Sequence, residues 1–307
     1  MTDIGMILGQ VAILFIIMLV GVIARKTKIL SDAGLGAMSQ LALFVTVPCM
    51  VLVSFQSEFS QQLLLDMGHA VAWSLGVHIV MWLLGKKIFN RFALHQRKPL
   101  QFAAIFSNAA FMGYPVLQAI FGETGLLLGS MYTAIFNIFL WTVGMSIFSG
   151  SEKEDRKAAI KRVLLNPGTI ATVLGLVMFV FSIKLPDMPM QALSMLGNMT
   201  TPLSMLIVGA RLADVRIKEA FAGAGVYLAC ALRLVVIPLI LMGLMKLCRV
   251  PPLAMGVVTI QAAMPIAANT AMFAEMFGGD APFASRLVFL STLLSIITIP
   301  IFMLLVA

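Results

Sequence analysis

The chain alternates stretches of about 20 almost uncharged apolar residues with short clusters of charge and turn formers, and this alternation restricts its fold more than any motif. A helix needs about 20 such residues to cross the hydrocarbon core of a bilayer. The breaks divide the chain into expected spans at 4–24, 35–55, 66–85, 101–121, 125–149, 167–184, 190–211, 221–246, 252–277 and 283–306. Hydrophobic residues make up 61% and charged residues 11%, against roughly half and a quarter in water-soluble domains. The apolar surplus is expected to face lipid. Segment 4–24 follows Asp3 instead of a basic leader region and ends at Arg25 and Lys26, so it reads as a first span and not as a cleaved signal. Cys49, Cys230 and Cys248 are odd in number and far apart, which points to packing and not to disulfides or a metal. His69, His78 and His95 lack metal-ligand spacing and are expected at surfaces or interfaces.

The formal charge of +8 resides in short turns and not in a long basic arm, so it speaks for membrane orientation and not for nucleic acid. Lys and Arg favour cytoplasmic loops. With the N-terminus outside, the inner loops hold Arg25, Lys26 and Lys28; Lys86, Lys87, Arg91, Arg97 and Lys98; Lys153, Arg156, Lys157, Lys161 and Arg162; Arg211, Arg216 and Lys218; and Arg286. Only Lys184, Lys246 and Arg249 fall outside, and Arg233 lies within a span. The expectation is a multi-pass protein of the cell membrane with both termini on the outer face.

Ten spans with a charged connector in the middle give two halves of five: a first repeat at 1–149, a cytoplasmic linker at 150–163 and a second repeat at 164–307. An odd number of spans per half turns the second half upside down, the inverted repeat common among secondary transporters. Helix breakers recur in step, Pro48 with Pro202 and Pro115 with Pro265, each pair separated by about half the chain, whereas Pro238 and Pro300 have no counterpart. The fold class expected is therefore all-α integral membrane, with spans four and nine broken near the midplane.

Those two spans carry the candidate chemistry. Span four reads Ser107-Asn108-Ala109-Ala110-Phe111-Met112-Gly113-Tyr114-Pro115, and span nine reads Gln261-Ala262-Ala263-Met264-Pro265-Ile266-Ala267-Ala268-Asn269-Thr270. Proline lacks an N–H and clashes with the carbonyl a turn back, freeing backbone groups that hydrocarbon tolerates only against protein or a wet cavity. Two broken helices meeting at the midplane would aim N–H groups and positive dipole ends at one point, suited to an anion such as a carboxylate. Asn108 and Asn269 add neutral donors, or alternatively bridge helices. Arg233 in span eight is expected to face a cavity or a partner, to offset substrate charge, to pair with a carboxylate or to snorkel, and Glu275 is a candidate proton-coupling group or an interfacial acid. No nucleotide-binding loop, zinc-protease helix, nucleophile elbow or pair of intramembrane carboxylates is present, so a carrier is favoured over a membrane-embedded enzyme. The paired breakers favour alternating access over a passive channel lined by polar rings.

Asn108 to Pro115 followed by Phe121-Gly122, Leu165-Asn166-Pro167, Thr201-Pro202 through Gly209-Ala210-Arg211-Leu212, Ala263-Met264-Pro265 and Ser291-Thr292-Leu293-Leu294 resemble, in order and spacing, the auxin efflux carrier family of plant auxin carriers and bacterial organic-acid permeases. The resemblance implies a scaffold of spans one, two, six and seven, a mobile domain of spans three to five and eight to ten, and an elevator-like shift, often in a homodimer. It implies substrate contact at the crossover for Asn108, Pro115 and Pro265 and a family position at Asn166, and Gly113 and Asn269, beside the breakers, complete the set of candidate substrate-binding residues. It implies no cofactor beyond possible coupling to a proton or sodium gradient. The short connector, unlike the long central loop of the plant carriers, argues for a small malonate-like carboxylate instead of auxin.

Overall fold

The computed structural model describes residues 4–149, 156–214, 221, 223–277 and 279–306. Part of the expected linker and the basic residues Lys153, Arg216 and Lys218 lie outside the described residues. The described chain is helical, and its only β-type pairing is an isolated bridge. The helices are α1 (Ile4–Lys26), α2 (Asp32–Leu41), α3 (Val47–Ser54), α4 (Gln61–Ile88), α5 (Leu94–Ile105), α6 (Tyr114–Phe139), α7 (Met145–Ser149), α8 (Arg156–Leu164), α9 (Pro167–Val180), α10 (Asp187–Asn198), α11 (Thr200–Ala213), α12 (Ala224–Ala231), α13 (Ile237–Leu247), α14 (Pro252–Ala263), α15 (Asn269–Met276) and α16 (Ala281–Val306).

Among the described residues, six helical stretches are long and apolar enough to cross a membrane: Asp32–Ser54, Gln61–Ile88, Ala109–Phe148, Asp187–Ala213, Ala224–Leu247 and Ala281–Val306; α9 and α14 are shorter apolar helices. The expected spans four and nine are not continuous helices. Each is a pair of shorter helices separated by non-helical residues.

Prolines act differently from the expectation that they break spans. Pro48, Pro115 and Pro238 each follow a wider, π-helical turn, at Ala42–Thr46, Ala109–Gly113 and Leu232–Val236. A π turn shifts the hydrogen-bond register and absorbs the missing N–H without severing the helix. Pro202 sits in the first turn of α11, where no intrahelical donor is required, after α10 has ended at Asn198. Pro265 alone of the two expected pairs lies in an open break.

Between the expected spans four and five the chain reverses inside the helical stretch of α6. Gly122 there has φ 59° and ψ −150°, a conformation essentially reserved for glycine. A Cβ built at Gly129 would meet Leu117 Cδ1 at 2.4 Å, although a straight helix would separate these residues by about 18 Å. The two arms therefore fold back against each other.

Packing falls into two groups. α1 runs along α11 in the most extensive helix pair, and α3 packs on α9 and α10. α4, α6 and α14 pack together, joined by α5, α12, α13, α15 and α16. Backbone approach in the α1–α11 pair is so close that a Cβ at Gly209 would lie 1.9 Å from the Met18 carbonyl oxygen, the small-residue contact of membrane helices. Arg25, at the end of α1, donates to Asp214 (2.6 Å) and to Asp32, tying together the ends of α1, α2 and α11. Cys49 and Cys230 are buried packing residues as expected, but Cys248 is exposed.

Candidate functional site: a hydrogen-bonded crossover

α5 ends at Ile105 and α14 at Ala263, and the residues after each end pair with those after the other. Asn108 N–H donates to the Pro265 carbonyl at 2.7 Å, and Ala267 N–H donates to the Phe106 carbonyl at 3.0 Å. Ser107 and Ile266 form the antiparallel bridge between them. Ile266 N–H donates to Ser291 Oγ of α16 at 3.1 Å. Phe106 to Asn108 and Met264 to Ala267 are all buried, so backbone pairing is what makes these interruptions tolerable away from water. Helical structure then resumes at Ala109 and at Asn269.

Two helix C-termini and two helix N-termini thus converge at one place. The last carbonyls of a helix have no partner of their own and carry the negative end of its dipole. Arg233 supplies both needs. From the π-helical turn before Pro238 its guanidinium donates to Ala262 O (2.8 Å) and Met264 O (3.4 Å) at the end of α14, and to Ala104 O (3.2 Å) and Ile105 O (3.4 Å) at the end of α5. The side chain is 1% exposed. Of the alternatives expected for Arg233, the structure shows a partnered arginine, and its partners are carbonyls instead of a carboxylate: it clamps the two broken helices to each other. The Tyr132 hydroxyl of α6 lies beside Arg233 and Ser107.

The other expected site residues scatter around this clamp. Asn108 is 5% exposed and initiates the π turn, its carbonyl accepting from Met112 N–H (3.2 Å) and Gly113 N–H (3.0 Å). Gly113 has a packing reason of its own, since a Cβ there would meet Gln261 Oε1 at 2.3 Å. Pro115 opens α6, beyond the break and not within it, so it is no structural counterpart of Pro265. Asn269 opens α15 and is half-buried. Glu275 is exposed in the last turn of α15. Asn166 caps α9, its side-chain oxygen accepting from Thr169 N–H at 3.2 Å, on a helix that packs against α3 and α6 and not against the crossover pairing.

Sequence reasoning missed three polar groups here. Gln261 is fully buried and its amide has no partner, pressed between Gly113 and Gly129. His78, expected at a surface or interface, is 1% exposed. Its Nδ1 donates to Ser74 O at 2.7 Å, its Nε2 lacks a protein partner, and it sits among the rings of Phe106, Tyr132, Phe136 and Phe139. Ser291 holds the break from α16. A lone His or Gln amid apolar helix residues is a signal for such buried polar groups, but it does not say what they face.

Residues 6–303 match the family model described as membrane transport protein. Two curated relatives are similar over nearly their whole lengths. An uncharacterized transporter of Methanocaldococcus jannaschii is 25% identical over 94% of this chain and 95% of its own. An uncharacterized transporter of Methanothermobacter thermautotrophicus is 25% identical over 93% of this chain and 94% of its own. With a match over nearly its full length, the chain belongs to the membrane transport protein family, that of the auxin efflux carriers.

Proposed function

We propose that this membrane transporter is a secondary active carrier of a small organic anion, a carboxylate, working through ten membrane-crossing segments in two inverted halves. The observation that carries the reading is the division of labour at the crossover. Arg233 occupies the negative ends of α5 and α14, while helical structure begins again beside Asn108 and Asn269. The positive ends are left for a ligand, the arrangement by which half-helices hold anionic groups.

Two further observations support the mechanism. Thr46 and Thr200, 154 positions apart, are hydrogen-bonded to each other at 2.9 Å, as equivalent residues beside a two-fold axis between inverted halves would be. Asn108 is buried, so a solute reaches it only when one group of helices moves on the other. The group of α1–α3 and α9–α11 serves as scaffold, and the group of α4–α7 and α12–α16 as the moving body. Between them the Thr201 hydroxyl donates to Gln118 Oε1 at 3.2 Å across an otherwise apolar seam at Met18, Met112, Val116 and Met205, which suits an elevator-like slide. A proton or sodium gradient supplies the energy, with Glu275 at the end of α15 as the coupling candidate, and the unit is a homodimer. Counterflow of labelled mono- and dicarboxylates into proteoliposomes tests the reading. Asn108→Ala is expected to lower exchange at least tenfold, and wild-type exchange by that variant would show that the crossover is not the site.

A further inference from the structure

Two residue pairs mark the level of each helix group. In the scaffold they are Thr46 and Thr200, bonded to each other at 2.9 Å. In the moving body they are Ser107 and Ile266, whose antiparallel bridge is flanked by two matching bonds, Asn108 N–H to Pro265 O and Ala267 N–H to Phe106 O. Exchanging 107 with 266 turns each of these bonds into the other, as a local two-fold axis does. Midway through a slide between inverted halves, the two marks would stand at one depth. A difference between them measures how far the slide has gone.

The marks are not level. The Thr201 hydroxyl, next to the scaffold mark, donates to Gln118 Oε1 at 3.2 Å, and Gln118 stands about ten residues and roughly 15 Å of helix past Ser107. Phe111 gives the direction. It packs against Leu35, Ala42, Ile207 and Ala210, between the scaffold mark and the end where Arg25 ties α1 to Asp32 and Asp214. Ser107 and Asn108 precede Phe111 and lie further toward that end. Packing is one-sided in the same sense: α6 packs on α1, α3, α9 and α11 of the scaffold, whereas α15, which follows the other break, packs on α5, α7 and α16 of its own group. Gln118 Nε2 also donates to Glu123 Oε1 at 3.0 Å, which turns the amide so that its oxygen faces Thr201.

We infer that this arrangement is one end of the slide, the end with the crossover toward Arg25 and the basic loops, and that the hydrogen-bond chain Thr201–Gln118–Glu123 holds it in register. At the other end Phe277, just past α15, meets Val47 on α3, because the exchange of 46 with 200 carries Thr201 to Val47 and the exchange of 107 with 266 carries Gln118 to Phe277. The inference rests on the proposed slide and on no property of the solute.

The experiment is disulfide trapping in full-length protein with Cys49, Cys230 and Cys248 replaced by alanine, reconstituted in lipid vesicles and oxidised with copper phenanthroline. One variant carries Gln118→Cys with Thr201→Cys, the other Val47→Cys with Phe277→Cys, and trapping is read as loss of maleimide-reactive thiols. The first pair is expected to close at least tenfold faster than the second, and the second to close completely with time. Adding Gln118→Leu to the second pair is expected to speed its closure about two- to tenfold, the worth of one released hydrogen bond. Histidines at the same positions, bridged by zinc and read as a rise in thermal midpoint, repeat the comparison with the native cysteines in place; the first pair is expected to give the larger rise. A second pair that closes as fast as the first would show that the structure is no end state, and an unchanged rate with Gln118→Leu would remove the lock. A second pair that never closes, although closing the first stops carboxylate exchange, would overturn the outer register and leave the slide standing. Exchange undiminished with the first pair closed would refute the slide itself, and the inference with it.

Discussion

Replacing Arg233 by methionine separates a clamp from a substrate contact. Its two shorter bonds, 2.8 Å to Ala262 O and 3.2 Å to Ala104 O, join different helices, and bonds from a charged donor are worth about 1.5–3 kcal/mol each. Their joint loss is about 3–6 kcal/mol. Methionine also returns the desolvation cost of a buried cation, which can offset much of an ion's contribution, so the expected net destabilisation is about 2–4 kcal/mol. At roughly 2–4 °C per kcal/mol, the thermal midpoint of the purified protein should fall by about 4–16 °C. Arg233→Lys keeps the charge, but a single ammonium cannot fork across two helix ends, so its midpoint should lie between. Arg211→Met, at an exposed position, is the control. A methionine variant that melts with the wild type yet no longer exchanges carboxylates would refute the clamp and return Arg233 to the role of a substrate-facing cation.

Gly209→Ala places a methyl group 1.9 Å from the Met18 carbonyl oxygen and should cost about 1–3 kcal/mol through overpacking of α1 on α11, read as a lower thermal midpoint. Gly122→Ala at φ 59° and ψ −150° should cost about 1–3 kcal/mol of backbone strain, again by melting. Thr46→Val should lose about 1 kcal/mol by stranding the Thr200 hydroxyl, which donates to Thr46 at 2.9 Å, and Thr200→Val should lose less because the Thr46 hydroxyl keeps the Ala42 carbonyl as acceptor, whereas the double variant should be no worse than Thr46→Val alone because both partners are then apolar; additive losses would show that the hydroxyls do not depend on each other.

The long apolar stretches and the places where spans four and nine fail were legible because both rest on local facts, hydrophobic run length and amides set among breakers. The partners were not. Asn108 and Pro265 stand far apart in the chain, and that the N–H of the first donates to the carbonyl of the second depends on how the ends of α5 and α14 dock within one helix group. Pro115 misled because a proline can be absorbed by a π turn as well as by a break, and the choice depends on whether the surroundings satisfy the freed carbonyl. Neighbouring elements do so at Phe106, where Ala267 donates. Arg233 was legible only in part for a related reason: an intramembrane cation calls for a partner, and carbonyl ends of helices supply one without any acidic residue in the sequence.

The same helix-end bookkeeping constrains the charge of the cargo. Each helix terminus carries about half an elementary charge, so the C-terminal ends of α5 and α14 together balance the single positive charge of Arg233. The two N-terminal ends that begin at Ala109 and Asn269 then offer about one positive charge to a ligand, and Asn108 and Asn269 add donors but no charge. A monoanion is balanced there, while a fully ionised dicarboxylate brings about one charge too many into a buried site. Under the proposed function, a dicarboxylate should therefore be taken in its singly protonated form or together with a cation. Exchange measured with both vesicle faces at equal pH should quicken as the pH is lowered toward the second ionisation of the substrate, in proportion to the monoanion present, and a monocarboxylate of the same size should show no such rise. A dicarboxylate exchanged at one rate across that range, without sodium, would show that the crossover carries another positive charge than the helix ends, and the assignment of Arg233 to the carbonyls would fall with it.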